Sequence, residues 1–468
     1  MTTSSYIKGL LRGVLGLAIA GCAPVGPNFE KPLPALPASF SQGGVRWQRQ
    51  TPATLPKPQA WWRLYQDGTL ASLIERSLAG NQEIVGTAAR LRQARELSRA
   101  ARSQYFPEVT LGGTANRAKT RYLGAVGSST IADNFIVPVD FSYEVDAWGK
   151  VRRQVESARA SADAAGEVLH AQRLSVAGEV AQTYWALRAV DANQVVLNRT
   201  LEIRRKALDL LTKRREAGTI SGLDLARAAT EVATAEAERI KLDGDRIVLV
   251  NALAVLAGAP ATGFRVAAQA ALPTPPAVPG SVPSELLRQR PDIRAAERRV
   301  AAANADIGVA TAAFYPSFKI NASSGLSAAS LGDLFQASAL VWSLGANMTL
   351  PITHGNLLQA QKQAAIAAHE AASADYRQTV LVSIGEVETA LQAGTILERR
   401  QAAQDTALAA AHKTFELSVK RFSAGLVSFL DLVDAERTRL AAEQAANTIR
   451  AERLAVSVSL IKALGGEW

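Results

Sequence analysis

The chain carries one stretch of sequence twice, and this repeat constrains its fold more than any other feature. "KRREAGTISGLDL" in the first half is answered by "KRFSAGLVSFLDL" in the second. Three pairs of landmarks keep the same spacing: Lys213 and Lys420, Gly218 and Gly425, and Asp224 and Asp431. A register kept at several positions is typical of an internal duplication. We therefore expect a two-fold repeat in which each element occurs twice.

Helical periodicity dominates the chain, whose residues are 48% hydrophobic but only 6% aromatic. Much of the apolar content is alanine, which favours long helices packed closely side by side. The longest helical segment, 356–421, would extend on the order of 100 Å at 1.5 Å per residue. That length indicates a coiled-coil-like rod rather than a globular domain. The segments with helical periodicity are about 61–105, 147–213, 223–256, 284–313, 356–421 and 428–463.

Four segments alternate apolar and polar residues with a period of two, in predicted hairpins at about 108–146 and 317–350. This pattern over about ten residues is typical of transmembrane barrel strands. An antiparallel sheet with one face on a soluble core gives the same pattern. The predicted apolar face comprises Val109, Leu111, Ala115, Val137, Val139, Phe141, Tyr143, Val145, Phe318, Ile320, Ala322, Trp342, Leu344, Ala346, Met348 and Leu350.

The N-terminus has the features of a bacterial lipoprotein signal. Lys8 and Arg12 precede the apolar run Gly13–Ala20, which ends in "IAGC". This order predicts a signal peptide over 1–21 and a lipid on Cys22. An incidental cysteine is the alternative. Cys22 is the only cysteine, so no intramolecular disulfide can form.

The rest of the chain divides into an arm, two repeats and a connector. A proline-rich, lipid-anchored arm covers 22–60, and the first repeat covers 61–258. The connector is expected over 259–284, and the second repeat over 285–468. No uninterrupted apolar run reaches the length of a transmembrane helix, so strands are expected to span any membrane.

Four strands cannot close a barrel, and an open edge in hydrocarbon leaves backbone groups without partners. Two chains would supply eight strands and three chains twelve. Only the larger assembly leaves an obvious open lumen.

Composition also argues against nucleic-acid binding and catalysis. The formal charge is +10, but Lys and Arg are interspersed with Glu and Asp along the helices. No nucleic-acid partner is expected. The four histidines lack zinc-ligand spacing, and no catalytic or nucleotide-binding motif occurs. We expect neither an enzyme nor a metal site, and no cofactor other than the lipid on Cys22.

Several longer motifs resemble one family, the TolC/OprM-type outer-membrane efflux lipoproteins of the NodT-like branch. They are "WWRLYQDGTLASLIERSLAGNQEI", "YFP" before the first hairpin, "FSYEVDAWGKVRR", "ELLRQRPDIRAAERRV" and the two "LDL" turns. The resemblance implies a mixed α and β homotrimer: a twelve-stranded outer-membrane β-barrel, four strands per chain, with a long α-helical barrel in the periplasm. It also implies a mixed α/β belt from residues near 190–205, 260–285, 395–410 and the C-terminus.

The implied function is that of the outer-membrane channel of a tripartite efflux system for drugs or other small molecules. A duct for type I protein secretion and heavy-metal efflux are the alternatives. The implied partners are a periplasmic adaptor, an inner-membrane pump of the resistance–nodulation–division type, and outer-membrane lipid.

The resemblance also implies a periplasmic gate at the repeated turns. The matching residues are Asp431, Asp434, Asp224 and Phe422, although the family pattern has a tyrosine where Phe422 stands. Helix-start carboxylates favoured by the helix dipole are the alternative role for the aspartates Asp431 and Asp224.

The turns themselves are the implied docking surface for adaptor hairpins. This surface comprises Gly218, Gly425, Leu426 and Val427, and Val427 stands where an arginine can occur in the family.

Overall fold

The structure is a computed structural model that describes residues 24–31, 60–121, 129–276 and 289–466. The described chain is mostly helical, with one antiparallel sheet. Cys22, the signal segment and most of the arm lie outside the described residues.

Seven α-helices follow a short 3-10 helix at Trp61–Tyr65 in the described ranges. Their bounds agree within a few residues with most of the predicted segments, and two helices reach 67 and 69 residues. The helices are α1 Gly68–Gly80, α2 Gln82–Ser103, α3 Lys150–Glu216, α4 Gly222–Leu256, α5 Pro291–Ala312, α6 Gly355–Ser423 and α7 Phe429–Ala463.

Local capping explains where helices begin. The Asp67 carboxylate accepts hydrogen bonds from the backbone N–H groups of Thr69 and Leu70 at 2.9 and 3.0 Å, at the start of α1. Asp146 does the same for Val151 and Arg152 at the start of α3. Each carboxylate satisfies two of the donors that a helix N-terminus leaves without partners.

The sheet has five strands: β1 Glu108–Leu111, β2 Thr114–Arg121, β3 Ser129–Val145, β4 Ser317–Ala328 and β5 Leu340–Thr349. β1 and β2 both pair with one side of β3, β4 pairs with its other side, and β5 pairs with β4. β1 and β2 lie end to end and count as one row, so the sheet has four rows of antiparallel strands, with β1–β2 and β5 at its edges.

The prediction of four strands was wrong in detail, because the first is broken at Gly112–Gly113. Opposite the break lies Pro138, which has no N–H to donate, although its carbonyl still accepts from Gly112 at 2.9 Å. On the other side of Pro138 lies Gly325, where a Cβ would approach the Pro138 Cα to 2.6 Å. Glycines on both sides therefore accommodate a proline in a central strand.

The predicted apolar face is confirmed by the strand register. Val109 pairs with Phe141, which pairs with Ala322 on its other side, and Ala322 pairs with Leu344. Alternation then places the remaining predicted apolar residues of the strands on this same face.

The chain forms two compact units, which we describe separately. The first unit comprises 1–33, 90–166 and 295–377 and contains the sheet. The described part of its arm is fixed by hydrogen bonds. The Arg153 guanidinium, 3% exposed, donates to Asn28 Oδ1 at 2.8 Å, and Asn304 Nδ2 donates to the Pro27 carbonyl at 3.0 Å.

Two further contacts hold this arm segment. Lys31 forms an ion pair with Glu297 at 3.0 Å. Gly26 lies against Gly308 so closely that a Cβ on Gly26 would be 2.6 Å from the Gly308 Cα. Glycine is thus required at Gly26 both by this approach and by its φ of 90°.

The second unit comprises 34–89, 167–294 and 378–468. Its core includes Trp185, which is fully buried against the Tyr65 ring with 5.3 Å between the ring centroids. The Tyr65 hydroxyl contacts Ser457 Oγ at 2.6 Å, and burial raises the pKa of this phenol. These contacts fix the 3-10 helix before α1 onto α3 and α7.

A buried ion cluster in the second unit holds the segment after α4. Asp191 bonds Arg188 at 2.7 Å and Arg246 at 2.8 Å, and Asp191 and Arg188 are each 1% exposed. The two guanidiniums also donate to the carbonyls of Ala267 and Val266. Within the segment expected to contribute to the mixed α/β belt, 264–276 is neither helix nor strand and is held by these side-chain bonds, and 277–285 lies outside the described residues.

Among the described helices, α6 alone contains an 18-residue window with the hydropathy and low charge of a membrane span; its mean hydropathy is 1.3, and 33% of the window is buried. This window meets a looser criterion than the uninterrupted apolar run on which the sequence prediction rests, so it does not contradict that prediction. An average over 18 residues tolerates isolated charges, whereas the prediction required an unbroken apolar run.

Candidate functional site: the helix turns and the exposed sheet

The two repeated turns join α3 to α4 and α6 to α7 with the same backbone geometry. Gly218 and Gly425 have φ angles of 71° and 72°, in the left-handed region that favours glycine. The residue after each glycine donates its N–H to the carbonyl five residues earlier, at 2.9 Å in both turns. Glycine at these two positions therefore permits both turns.

Two of the three predicted gate aspartates lie in N-terminal helix caps. Ser428 Oγ and its backbone N–H donate to Asp431 Oδ2 at 2.6 and 2.9 Å, and the Asp431 N–H bonds back to Ser428 Oγ at 3.3 Å. These hydrogen bonds lower the pKa of Asp431 below its usual 3.8. Ser221 and Asp224 form a similar cap, with Oγ donating to the carboxylate at 2.9 Å. The structure thus places both carboxylates in the capping role, and a gating role stays a prediction.

The other predicted turn residues differ in exposure. Asp434 is exposed and lies one helical turn beyond Asp431, outside the cap. Leu426 is 75% exposed at the tip of its turn, and Val427 is half-buried.

Phe422 joins the two hairpins instead of standing free at the turn. Its ring lies 6.1 Å from that of Phe429, and the Arg214 guanidinium lies 5.8 Å from its centroid. It packs from α6 on a buried cluster of residues from the other three helices at the turns: Leu211, Ala228, Phe429 and Val433. In the single chain Phe422 is therefore a packing residue between hairpins.

Behind this apolar cluster lies a buried ionic group that no local sequence pattern indicates. Arg204 of α3 bonds Glu231 of α4 at 3.1 Å and Glu436 of α7 at 2.9 Å, and all three side chains are less than 10% exposed. Arg204 also donates to the Glu231 main-chain carbonyl at 2.9 Å. One guanidinium thus links three helices, at the ends of both hairpins.

The buried group has an excess of carboxylate near Arg204 and is extended by other arginines. Arg437 forms an ion pair with Glu231, and Arg439 bonds Glu443 at 2.9 Å. Burial raises the pKa of Glu436 above its usual 4.5, although Arg204 opposes the shift. One oxygen of Glu436 has no hydrogen-bond partner among the described residues. A buried carboxylate with an unsatisfied oxygen lowers the folding stability, so substitutions in this group should change stability strongly.

The sheet is the second candidate surface, because a single chain leaves it uncovered. Every residue of β1, β2 and β5 is exposed. Leu111 and Trp342 on the apolar face are 74% and 76% exposed. An apolar patch of this kind marks a site of contact with protein or membrane.

The four helices that precede or follow the strands in the sequence all join the sheet at one end. α2 ends before β1, and α3 begins after β3. α5 ends before β4, and α6 begins after β5. The register puts Glu108 opposite Ser142 and Ser317 opposite Thr349, at the same end of the sheet.

Comparison with known proteins gives consistent matches. The family model described as outer membrane efflux protein matches residues 73–259 and 282–466. The chain is 30% identical to a probable efflux pump outer membrane protein, TtgC of Pseudomonas putida, covering 98% of this chain and 96% of TtgC. It is 32% identical to the pyoverdine export outer membrane protein OpmQ of Pseudomonas aeruginosa, covering 87% of each chain.

The fold matches a solved channel of the same kind. The outer-membrane channel OprN superposes with a TM-score of 0.86 at 30% identity, covering 95% of this chain and 99% of OprN. This family comprises transport channel components of the bacterial outer membrane, not enzymes. With both halves matched by one family model and relatives covered almost end to end, the chain is a member of the outer membrane efflux protein family.

Proposed function

We propose that three copies of this chain form the outer-membrane channel of a tripartite efflux system. Each chain contributes the four rows of its sheet to a twelve-stranded transmembrane barrel, and the long helices form a periplasmic helical barrel. The two halves of the chain are a duplicated unit. This last point is supported by the equal φ angles of Gly218 and Gly425 and by one family model matching both halves.

The observation that carries the proposal is the uncovered sheet with two unpaired edges. β1–β2 and β5 expose backbone donors and acceptors that hydrocarbon cannot satisfy. Pairing β5 of one chain with β1–β2 of the next removes every edge and gives the apolar face one continuous environment. A soluble sheet would instead need a covering layer, and Trp342 at 76% exposed has none within the described chain.

The height of the apolar face fits a bilayer. From Val145 to Phe135 the face runs ten residues along β3, which is about 33 Å at 3.3 Å per residue. A strand tilted by about 40° then spans about 25 Å of depth, the usual height of the apolar band of an outer-membrane barrel. The sequence alternative of a sheet on a soluble core gives no reason for this height.

The transported cargo is a small molecule, and the channel works with a periplasmic adaptor and an inner-membrane pump of the resistance–nodulation–division type. The names of the relatives support this cargo class, since TtgC is a probable efflux pump protein and OpmQ exports pyoverdine. The turns at Gly218 and Gly425, with Leu426 and Val427, are the proposed adaptor contact. Leu426 supports this role because it projects, 75% exposed, from its turn.

The same turns are the proposed periplasmic gate. In a trimer, Asp431 and Asp434 would be repeated around the axis, and like charges at a constriction repel one another. Asp224 and Phe422 belong to the same tips, Asp224 in a cap and Phe422 in the packing between hairpins. The exposed Asp434 is the member best placed to respond to charge, because its carboxylate lies outside the cap.

A lipid on Cys22 is proposed to anchor the mature N-terminus. The arm directly after it supports this, since Pro27, Asn28 and Lys31 are bonded to the sheet-bearing unit. Labelling with a radioactive fatty acid should mark the wild-type protein and not Cys22→Ser. Equal labelling of both proteins would remove this part of the proposal.

Conductance of the purified protein in planar lipid bilayers tests the channel function. We expect discrete conductance steps from protein extracted from outer membranes, together with a mass of three chains in detergent. A matched control is Gly325→Val, because the Gly325 Cβ would lie 2.3 Å from the Val137 carbonyl oxygen. This variant should lose the sheet and the conductance together. A conducting variant, or a silent wild-type trimer, would contradict the proposal.

A further inference from the structure

Strand β2 carries three basic residues at alternating positions. Arg117, Lys119 and Arg121 are all exposed, in a strand whose every residue is exposed. Alternate residues of a strand point to the same face of the sheet. The three cations therefore form one row, which we call the basic row.

The basic row lies on the apolar face of the sheet. Ala115, two residues before the row, pairs with Phe135, and Phe135 alternates with Val137 of the apolar face. Continuing the alternation along β2 places the cations on this face and not on the polar one. On β2 the last apolar residue of this face is therefore Ala115, and the next three positions on the face are the cations. On β3 the charged Asp133 follows Phe135 on the same face, and Ile131 follows Asp133.

The basic row also has a definite depth. It begins one alternation beyond the apolar band, about 7 Å further along the strand and about 5 Å in depth for the same tilt. Bilayers have their polar headgroups just outside the hydrocarbon region. Side chains as long as arginine and lysine reach polar groups at this depth while their stems lie against apolar surface.

The row lies at the end of the sheet away from the helices. β1 and β3 meet α2 and α3 at the Glu108–Ser142 end, whereas the row pairs with Ser129–Asp133 at the other end. If the helices are periplasmic, as proposed above, the basic row lies at the outer leaflet.

The charge of the row is only partly compensated. Asp133 lies opposite Arg117 with 3.6 Å between their charged atoms, and their side chains are 39% and 73% exposed. The partners of the other two cations in the register are Ile131 and Ser129, which are uncharged. The row therefore keeps an excess of positive charge directly above an apolar surface.

We propose that Arg117, Lys119 and Arg121 bind the phosphate groups of outer-leaflet lipid headgroups. The inference rests on the proposed membrane-spanning barrel. Arginine can bind phosphate oxygens through two parallel hydrogen bonds, and lysine binds them as a point charge. The acyl chains of the same lipid lie against the apolar band below the row. The row thus fixes both the depth of the barrel and the class of lipid that surrounds it.

The test measures lipid A binding to the trimer in a neutral detergent by native mass spectrometry. The probe is lipid A with two phosphates, compared with lipid A of the same acyl chains and one phosphate. The variant is Arg117→Gln with Lys119→Gln and Arg121→Gln. The matched control, Arg90→Gln with Arg92→Gln and Arg95→Gln, removes the same charge from exposed positions of α2. Two single variants, Lys119→Gln on the apolar face and Lys319→Gln on the polar face, test directly whether lipid binding depends on the face of the sheet.

We expect wild type and control to prefer the two-phosphate lipid, and the basic-row variant to bind it about tenfold more weakly at 0.1 M salt. Equal binding by the variant and wild type would overturn the proposal. Displacement of the lipid by an equal concentration of inorganic phosphate would also overturn it, because the row would then be a site for free phosphate. Conductance and trimer mass are measured on the same samples. A conducting trimer that binds the one-phosphate and two-phosphate lipids equally would reject only this inference. A monomer without conductance would reject the proposed channel itself.

Discussion

Gly218 and Gly425 occupy the same left-handed conformation, at φ 71° and 72°, in two turns from opposite halves of the chain. In neither turn would an added Cβ meet another atom within 4 Å. Steric fit to neighbours is therefore not the reason for glycine. The reason is the backbone conformation itself.

Replacing either turn glycine by alanine should destabilise the helical hairpins by about 1 kcal/mol, the usual cost of a left-handed non-glycine residue. Gly394→Ala in α6 is the control, since its Cβ also meets nothing and its φ is not positive. That change should instead stabilise the helix, because alanine is the better helix former. Thermal loss of ellipticity at 222 nm measures both effects. The explanation would be refuted if Gly394→Ala lowered the melting temperature, or if Gly425→Ala left the melting temperature unchanged.

The buried link from Arg204 to Glu436 predicts strongly non-additive mutational effects. Arg204→Met leaves Glu436 buried without its main cation and should cost about 3–5 kcal/mol of unfolding free energy. Combining it with Glu436→Leu should restore much of that loss, because no unpaired charge is then left at Glu436. Lys206→Met, in an exposed ion pair with Glu202, should have no measurable effect. Chemical denaturation of Arg204→Met, Glu436→Leu, their double variant and Lys206→Met gives the coupling energy between Arg204 and Glu436, and strictly additive costs would contradict it.

The acid dependence of stability should have opposite signs at Glu436 and Asp431. Burial raises the pKa of Glu436 above 4.5, so the folded state binds this proton more tightly than the unfolded state does. Protonated Glu436 therefore contributes to stability below pH 4.5, and this contribution is lost as pH rises through the raised pKa. The pKa of Asp431 is lowered below 3.8, so its contribution is present above 3.8 and lost as pH falls. Glu436→Gln and Asp431→Asn should therefore change the pH profile of the melting temperature in opposite directions. Parallel changes would show that one of the two environments is described incorrectly.

The gating role of the turn carboxylates can be separated from their capping role. Asp434→Asn removes an exposed charge outside the cap, whereas Ser428→Ala weakens the cap of α7 without changing charge. If charge controls the gate, Asp434→Asn alters conductance and its salt dependence, because exposed charges are screened over about 10 Å at 0.1 M. Ser428→Ala should then lower stability and leave the salt dependence unchanged. If Asp434→Asn leaves the conductance and its salt dependence unchanged, the exposed charge at the turn does not control the gate.

Local pattern predicted much of this fold because its elements are long and strongly periodic. Alternation along β3 placed Val137 and Phe141 on one face before any register was available, and the helix bounds follow from period and turn glycines. The break in the first strand was missed, although Pro138 is a visible signal for it. Pro138 lies in β3, whereas the break lies between β1 and β2, which pair with β3. The break could therefore not be predicted without knowing how the strands pair.

The buried ionic group could not be predicted in the same way. Arg204, Glu231 and Glu436 come from three helices, and each resembles a solvated helix charge in its local sequence. Their burial depends on how the two hairpins pack, which no short window records.

Cross-linking between strand edges tests the central claim, that β5 of one chain pairs with β1–β2 of the next. Val109→Cys in β1 is combined in turn with Trp342→Cys, Leu344→Cys or Met348→Cys in β5, all on the apolar face. Within one chain these edges are separated by three strand spacings, about 14 Å. A bifunctional thiol reagent shorter than that distance cannot join them within a chain. We predict a covalent trimer on denaturing gels for at least one pair, and none for single variants or wild type. Monomer alone from every pair, with the sheet intact, would contradict the account.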